Sequence, residues 1–262
     1  MSTITDIAGN TIMLFLPSLV GATLIALTHL LTPRFHFMRT QNNPWVPASA
    51  GIALAYVFMD IFPHLAKGQE KLLHIAEGNI YGFLTHNVYL AGLAGFTIYL
   101  GIILLAMSIR QKQSTTGITF KSTPVSIKLE CASLAAYSFL IGYLLSEQVT
   151  HLPEPIILFG LAMAIHFAGL NYLVRDHFPI LYDQSLRYIY AASVYAGWFI
   201  GIVAEISDAT LALCYSFLAG GIIVVAAVYE LPHIRSPQQY GAFVAGAVVF
   251  SILILASDYI EA

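Results

Sequence analysis

Eight times along the chain, a run of about 18 to 25 mostly apolar residues is closed by a short polar stretch. The runs fall at 12–31, 46–64, 85–109, 129–148, 153–174, 186–206, 209–230 and 239–258. Each, coiled as an α-helix, is long enough to cross roughly 30 Å of hydrocarbon. The apolar residues are continuous rather than alternating, which argues against membrane-spanning strands. The pattern predicts an all-α integral membrane protein, a single polytopic domain over residues 1–262 with eight transmembrane helices.

Composition agrees. The chain is 58% hydrophobic and 10% charged, where a soluble protein is about 25% charged. A net charge of −3 without a basic block gives no reason to expect a nucleic-acid partner. The opening "MSTITDIAGN" lacks the positive segment of a cleaved signal peptide, so the first run is expected to remain as a helix. Cys131 and Cys214 form no CxxC pattern and read as apolar thiols inside spans. No span has a lysine in its interior, which argues against a retinal Schiff base.

The loop charges predict an orientation. One side carries only Lys67 and Lys71. The other carries Arg34, Arg39, Arg110, Lys112, Lys121, Lys128, Arg175, Arg187 and Arg235. Both termini are therefore expected outside the cytoplasm, with residues 110–128 as the main cytoplasmic loop.

Two spans share a pattern. "AGIALAYVFMDIFPH" (50–64) and "AGGIIVVAAVYELPH" (219–233) both open on Ala-Gly and close on an acid followed by Pro-His. Their acids, Asp60 and Glu230, are out of step by one residue. In the predicted topology the two helices run in opposite senses, as in the inverted repeats of many transporters. Gly92, Gly95, Gly220, Gly221, Gly241 and Gly246 read as points of close helix approach.

On these features the chain resembles the ZIP family of divalent metal transporters. The resemblance implies a 3+2+3 arrangement, with spans 1–3 and 6–8 as inverted triplets around spans 4 and 5. It also implies a metal site between spans 4 and 5, marked by His-Ser/Asn-x-x-Glu/Asp-Gly and His-Glu-x-x-His-Glu. Here "YSFLIG" (137–142) keeps Ser138 and Gly142, with Tyr137 and Ile141 at the histidine and acid positions. "HFAGLN" (166–171) keeps His166, with Phe167, Leu170 and Asn171 at the other ligand positions. By resemblance His166 and Asn171 are the candidate metal residues, and the divalent ion is a substrate rather than a resident cofactor.

One imidazole with neutral oxygens is a poor zinc site, because zinc favours about four donors with charge compensation. His166 thus has three readings: a neutral core histidine bonded to Tyr137 or Asn171, a residual metal or proton ligand in an altered pathway, or a residue of a helix facing a different ligand. Tyr137, Ser138, Asp60, His64, Glu205 and Glu230 are the candidate pathway residues. Asp60, His64, Glu147, His151, Glu205 and Asp208 fall near outer span ends, as a cation-collecting mouth or as solvated interfacial groups. Arg175, Asp176, His177, Asp183, Glu230 and His233 gather at the inner ends, where Arg175 and Asp176 could pair with each other or snorkel to headgroups. Trp45, Tyr89, Tyr182 and Tyr188 read as interface anchors. Tyr56 and Tyr195 fall mid-span, as aromatic packing or as a polar lining.

The function expected is a ZIP-like carrier for a cation with a non-standard site. The alternative is a non-transporting protein of the same fold, acting as scaffold, sensor or partner subunit. An intramembrane zinc hydrolase would need several converging histidines, and no span contains HxxxH or HExxH. No phosphate-binding loop or nucleophile elbow points to another enzyme class. The partners implied are the lipid bilayer and the cation, with a homo-oligomer left open.

Overall fold

The computed structural model describes residues 2–35, 43–66, 88–115, 125–151, 156–204 and 206–261. Among these there is no strand, and eight helices are long and apolar enough to span a bilayer. They are α1 (Phe15–Arg34), α2 (Trp45–Ala66), α3 (Val88–Ile109), α4 (Val125–Glu147), α5 (Ile156–His177), α6 (Pro179–Val203), α7 (Asp208–His233) and α8 (Pro237–Tyr259). All eight coincide with expected spans. The protein is a multi-pass integral membrane protein built of helices, the form in which a lone segment satisfies its own backbone groups in lipid.

The ends follow local chemistry. Asn43 accepts from the Trp45 amide at 2.9 Å at the head of α2, and Ser207 accepts from Thr210 N at 3.3 Å at the head of α7. Pro179 and Pro237 stand at the first positions of α6 and α8, where the missing N–H costs nothing. α6 begins seven residues before the expected boundary of 186. The polar "YDQSLR" segment stays in the helix, its residues Tyr182–Leu186 forming a π-turn in which Asp183 is paired with an arginine of α5 (below). The tip of the predicted 110–128 loop, residues 116–124, lies outside the described residues, as do Lys67 and Lys71.

α2 and α7 are each interrupted near their ends by a π-turn, Val57–Ile61 and Ala226–Glu230. Pro63 and Pro232 explain both. A proline ring clashes with the carbonyl four residues back and cannot bond to it. Those carbonyls belong to Met59 and Val228, inside the two wide turns. The following histidines then bond carbonyls of the same turns: His64 Nδ1 to Asp60 O and His233 Nδ1 to Tyr229 O, each at 2.8 Å.

α5 is the most enclosed helix and α8 the least. α2 packs most extensively on α8, α3 on α7, α1 on α5, and α4 on α6; α2 and α1 also pack on α5 and α6 respectively. Glycines set these approaches. A Cβ at Gly51 of α2 would overlap the Phe243 carbonyl of α8, and one at Gly220 of α7 would overlap the Gly92 carbonyl of α3. Gly246 meets Ala48 O and Gly95 meets Phe217 O in the same manner. Gly241 departs from the expectation: among the described residues nothing lies within 4 Å of its would-be Cβ.

Candidate functional site

The site grows from α5. On a helix of about 3.6 residues per turn, positions 166, 169 and 170 share one face, and position 171 lies well round from 166. His166 and Gly169 look toward α7 and α2. Asn171 looks toward α1.

His166 is fully buried. Its Nε2 lies 3.2 Å from the Tyr137 hydroxyl of α4. Its Nδ1 lies 3.3 Å from Glu230 Oε2 of α7. Glu230 is also fully buried, at the last position of its π-turn. The added residue of such a turn re-aims the side chains after it, and Glu230 ends inside the bundle rather than in the polar cluster expected at the inner span ends. Its other oxygen, Oε1, accepts from Ser49 Oγ of α2 at 3.0 Å. Four helices thus contribute one side chain each to a closed polar centre. The His166–Glu230 contact is an ion-pair approach rather than an aligned hydrogen bond, and among the described residues neither Nδ1 nor Oε2 has a hydrogen-bond partner. Both atoms can therefore engage a third group.

Asn171 belongs to a second station. Its Oδ1 lies 3.0 Å from His29 Nδ1 of α1, and both side chains are buried. The His29 ring packs on Phe167 at 4.5 Å, and its backbone carbonyl accepts from the Tyr182 hydroxyl at 2.9 Å. The two residues that the resemblance marks for metal thus have different partners. Among the described residues, no group of three or more His, Cys, Asp or Glu side chains is placed to hold a metal ion. The remaining positions of the family motif are apolar and packed: Ile141, Phe167 and Leu170 are at most 1% exposed.

The remaining candidate residues take varied places in the bundle. Ser138 is buried, but its hydroxyl bonds Leu134 O of its own helix. Asp60 and Glu147 are buried rather than solvated at an interface, at 4% and 2% exposed. His64 Nδ1 stands 3.9 Å from the Asp60 carboxylate and bonds the Asp60 carbonyl instead. Asp208 is exposed. Glu205 and the His151 side chain lie outside what the structure describes. Arg175 pairs with Asp183 through two bonds of 2.7 and 2.8 Å, and not with Asp176. Adjacent helix residues point about 100° apart, whereas the short turn into α6 carries Asp183 under the guanidinium. Tyr182 is no interface anchor, since it is fully buried. Trp45, Tyr89 and Tyr188 are about half exposed, as anchors would be. Tyr56 packs against Phe159 and Phe250, and Tyr195 bonds Thr23.

Ser49, Gly169, His29 and the Tyr229–Glu130 bond of 2.9 Å between α7 and α4 were not singled out from the sequence. His29 carried a readable signal, an ionisable residue inside an apolar span. Ser49 and Gly169 carried none, because small residues recur throughout the spans. No family model matches the chain, and no curated protein matches it.

Proposed function

We propose that this chain is a ZIP-like membrane carrier for a cation, its pathway passing the buried His166–Glu230 pair rather than a conventional two-metal centre. The single observation that carries this reading is that pair, fully buried and joining α5 to α7 at 3.3 Å. A buried ionisable pair is weak as a stabiliser, because well-packed apolar residues of similar volume often do as well or better. Ionisable groups inside a membrane bundle are costly and mark ion or proton paths. Divalent transition metals are the first substrates to test, since imidazole and carboxylate both suit them.

We read the matched positions of α2 and α7, and of α3 and α8, as an inverted repeat, which favours a carrier. One constant shift carries Ala48, Gly51, Val57–Ile61, Pro63 and His64 onto Phe217, Gly220, Ala226–Glu230, Pro232 and His233. A second carries Gly92 and Gly95 onto Phe243 and Gly246, and the α2–α8 glycine contacts reappear between α7 and α3. Five crossings separate α2 from α7, so a chain crossing each time runs them in opposite senses. Alternating access uses such pairs.

A non-transporting relative is the second reading. Its specific support is the packed apolar set Ile141, Phe167 and Leu170 at the family's ligand positions. Uptake into proteoliposomes, tried with zinc, manganese, iron(II), cobalt and cadmium, separates the two. The carrier reading expects uptake by the wild type and none by a folded His166→Ala variant. No uptake of any cation, together with a variant that only loses thermal stability, gives the second reading. The proposed orientation has extracytoplasmic termini, so an impermeant thiol reagent should fail to label Ser114→Cys in intact cells. Labelling there would reverse it.

A further inference from the structure

Three helices meet where Glu230 enters the bundle, and the smallest residue sits at the meeting point. Ser49 of α2 and Glu230 of α7 both lie against Gly169 of α5, one turn beyond His166 on the same face. A Cβ on Gly169 would overlap Ser49 Oγ, stand 2.7 Å from Glu230 Oε1 and lie 3.0 Å from Ser49 Cβ. The space that glycine leaves free is therefore the space the Ser49–Glu230 bond occupies. That bond fixes Oε1 at 3.0 Å, and fixing one carboxyl oxygen aims the other at His166 Nδ1. The single Ser49 hydroxyl hydrogen faces two acceptors, Glu230 Oε1 at 3.0 Å and Val46 O one turn back at 2.8 Å, and is shared between them.

We infer that Ser49 and Gly169 are positioning residues for the Glu230 carboxyl group: Ser49 anchors Oε1, and Gly169 keeps the place in which that anchor and the carboxyl group fit, so that Oε2 faces His166. Their effect on transport rests on the carrier reading above; their effect on the His166–Glu230 contact does not. Neither residue need touch a cation. The surroundings leave few other groups to orient Glu230. Tyr137 reaches the far nitrogen of His166, Tyr99 of α3 packs edge-on against Tyr137, and His29 of α1 is engaged by Asn171.

The test uses the full chain in liposomes, with ¹⁵N-histidine solid-state NMR. The His166 signals are identified by their loss in His166→Gln. Thermal unfolding is measured alongside. Ser49→Ala removes the anchor without adding bulk and should move the His166 Nδ1 resonance. Gly169→Ala should move it too and lower the unfolding temperature. The double variant Gly169→Ala/Ser49→Gly relieves the overlap with Ser49 but leaves the new methyl 2.7 Å from the place of Oε1, too close for the carboxyl group to keep its position. It should recover stability and keep the displaced Nδ1 resonance. A packing role alone predicts that the resonance returns with stability, and that result would overturn the inference. So would a wild-type Nδ1 resonance in Ser49→Ala, which decides the matter even if Gly169→Ala does not fold. In uptake, Ser49→Ala should fall roughly five- to tenfold, the worth of one hydrogen bond. If the wild type carries no cation, the carrier reading fails while the resonances still decide the positioning.

Discussion

Replacing His166 and Glu230 by leucine, singly and together, separates what the pair does for folding from what it does for function. In Glu230→Leu, His166 Nδ1 loses the one group that faces it among the described residues, and a buried polar atom left unpaired costs about 1–3 kcal/mol. His166→Leu leaves a buried carboxyl group with Ser49 alone and strands the Tyr137 hydroxyl, whose partner was Nε2 at 3.2 Å. Breaking a buried pair from one side costs about 3–5 kcal/mol when a charge is left behind. The double variant removes both ends at once. Only the Tyr137 hydroxyl then lacks its partner, worth about 1–2 kcal/mol, and adding Tyr137→Phe removes that as well. The double variant should therefore be more stable than His166→Leu, with a coupling of about 2–7 kcal/mol, and the triple variant should approach the wild type. Denaturant or thermal unfolding in detergent measures the cycle, and uptake should be absent in every member. Strictly additive losses would refute the reasoning, because they would mean that the two side chains do not depend on each other.

The glycines of the paired interfaces give a second test. Gly51→Ala and Gly220→Ala each drive a methyl into a facing backbone carbonyl and should each cost about 1–3 kcal/mol in thermal unfolding. Gly101→Ala meets nothing within 4 Å among the described residues and should be neutral or stabilising by up to about 1 kcal/mol; equal losses at all three would show that contact is not the cause. Arg175→Ala breaks a two-bond pair whose side chains are 19% and 37% exposed, so its cost should stay below about 1 kcal/mol. A loss of several kcal/mol in the same measurement would mean that the pair holds the α5–α6 turn far more firmly than its exposure allows.

The number, order and approximate ends of the helices were decided locally. Eight apolar runs bounded by polar stretches leave a chain in lipid no other regular structure, since each backbone group must find its partner within the segment. The matched Pro-His endings of the second and seventh runs were equally legible. So was the burial to be expected of His166, from its place within "AMAIHFAGLNYL". What faces what was not legible. Lipid tails are as apolar as a helix interface, so no amphipathic stripe distinguishes the inward side of these helices. The resemblance therefore put His166 and Asn171 in one site, while packing gives them separate partners, Glu230 with Tyr137 and His29. Glu230 was assigned by its sequence position to the inner end of its span. A proline two residues later opens a π-turn and re-aims the carboxyl group into the bundle. Ser49 and Gly169 gain their meaning only from the approach of α2 and α7 to α5, because a small residue becomes part of a site through the neighbours that fill the space it leaves.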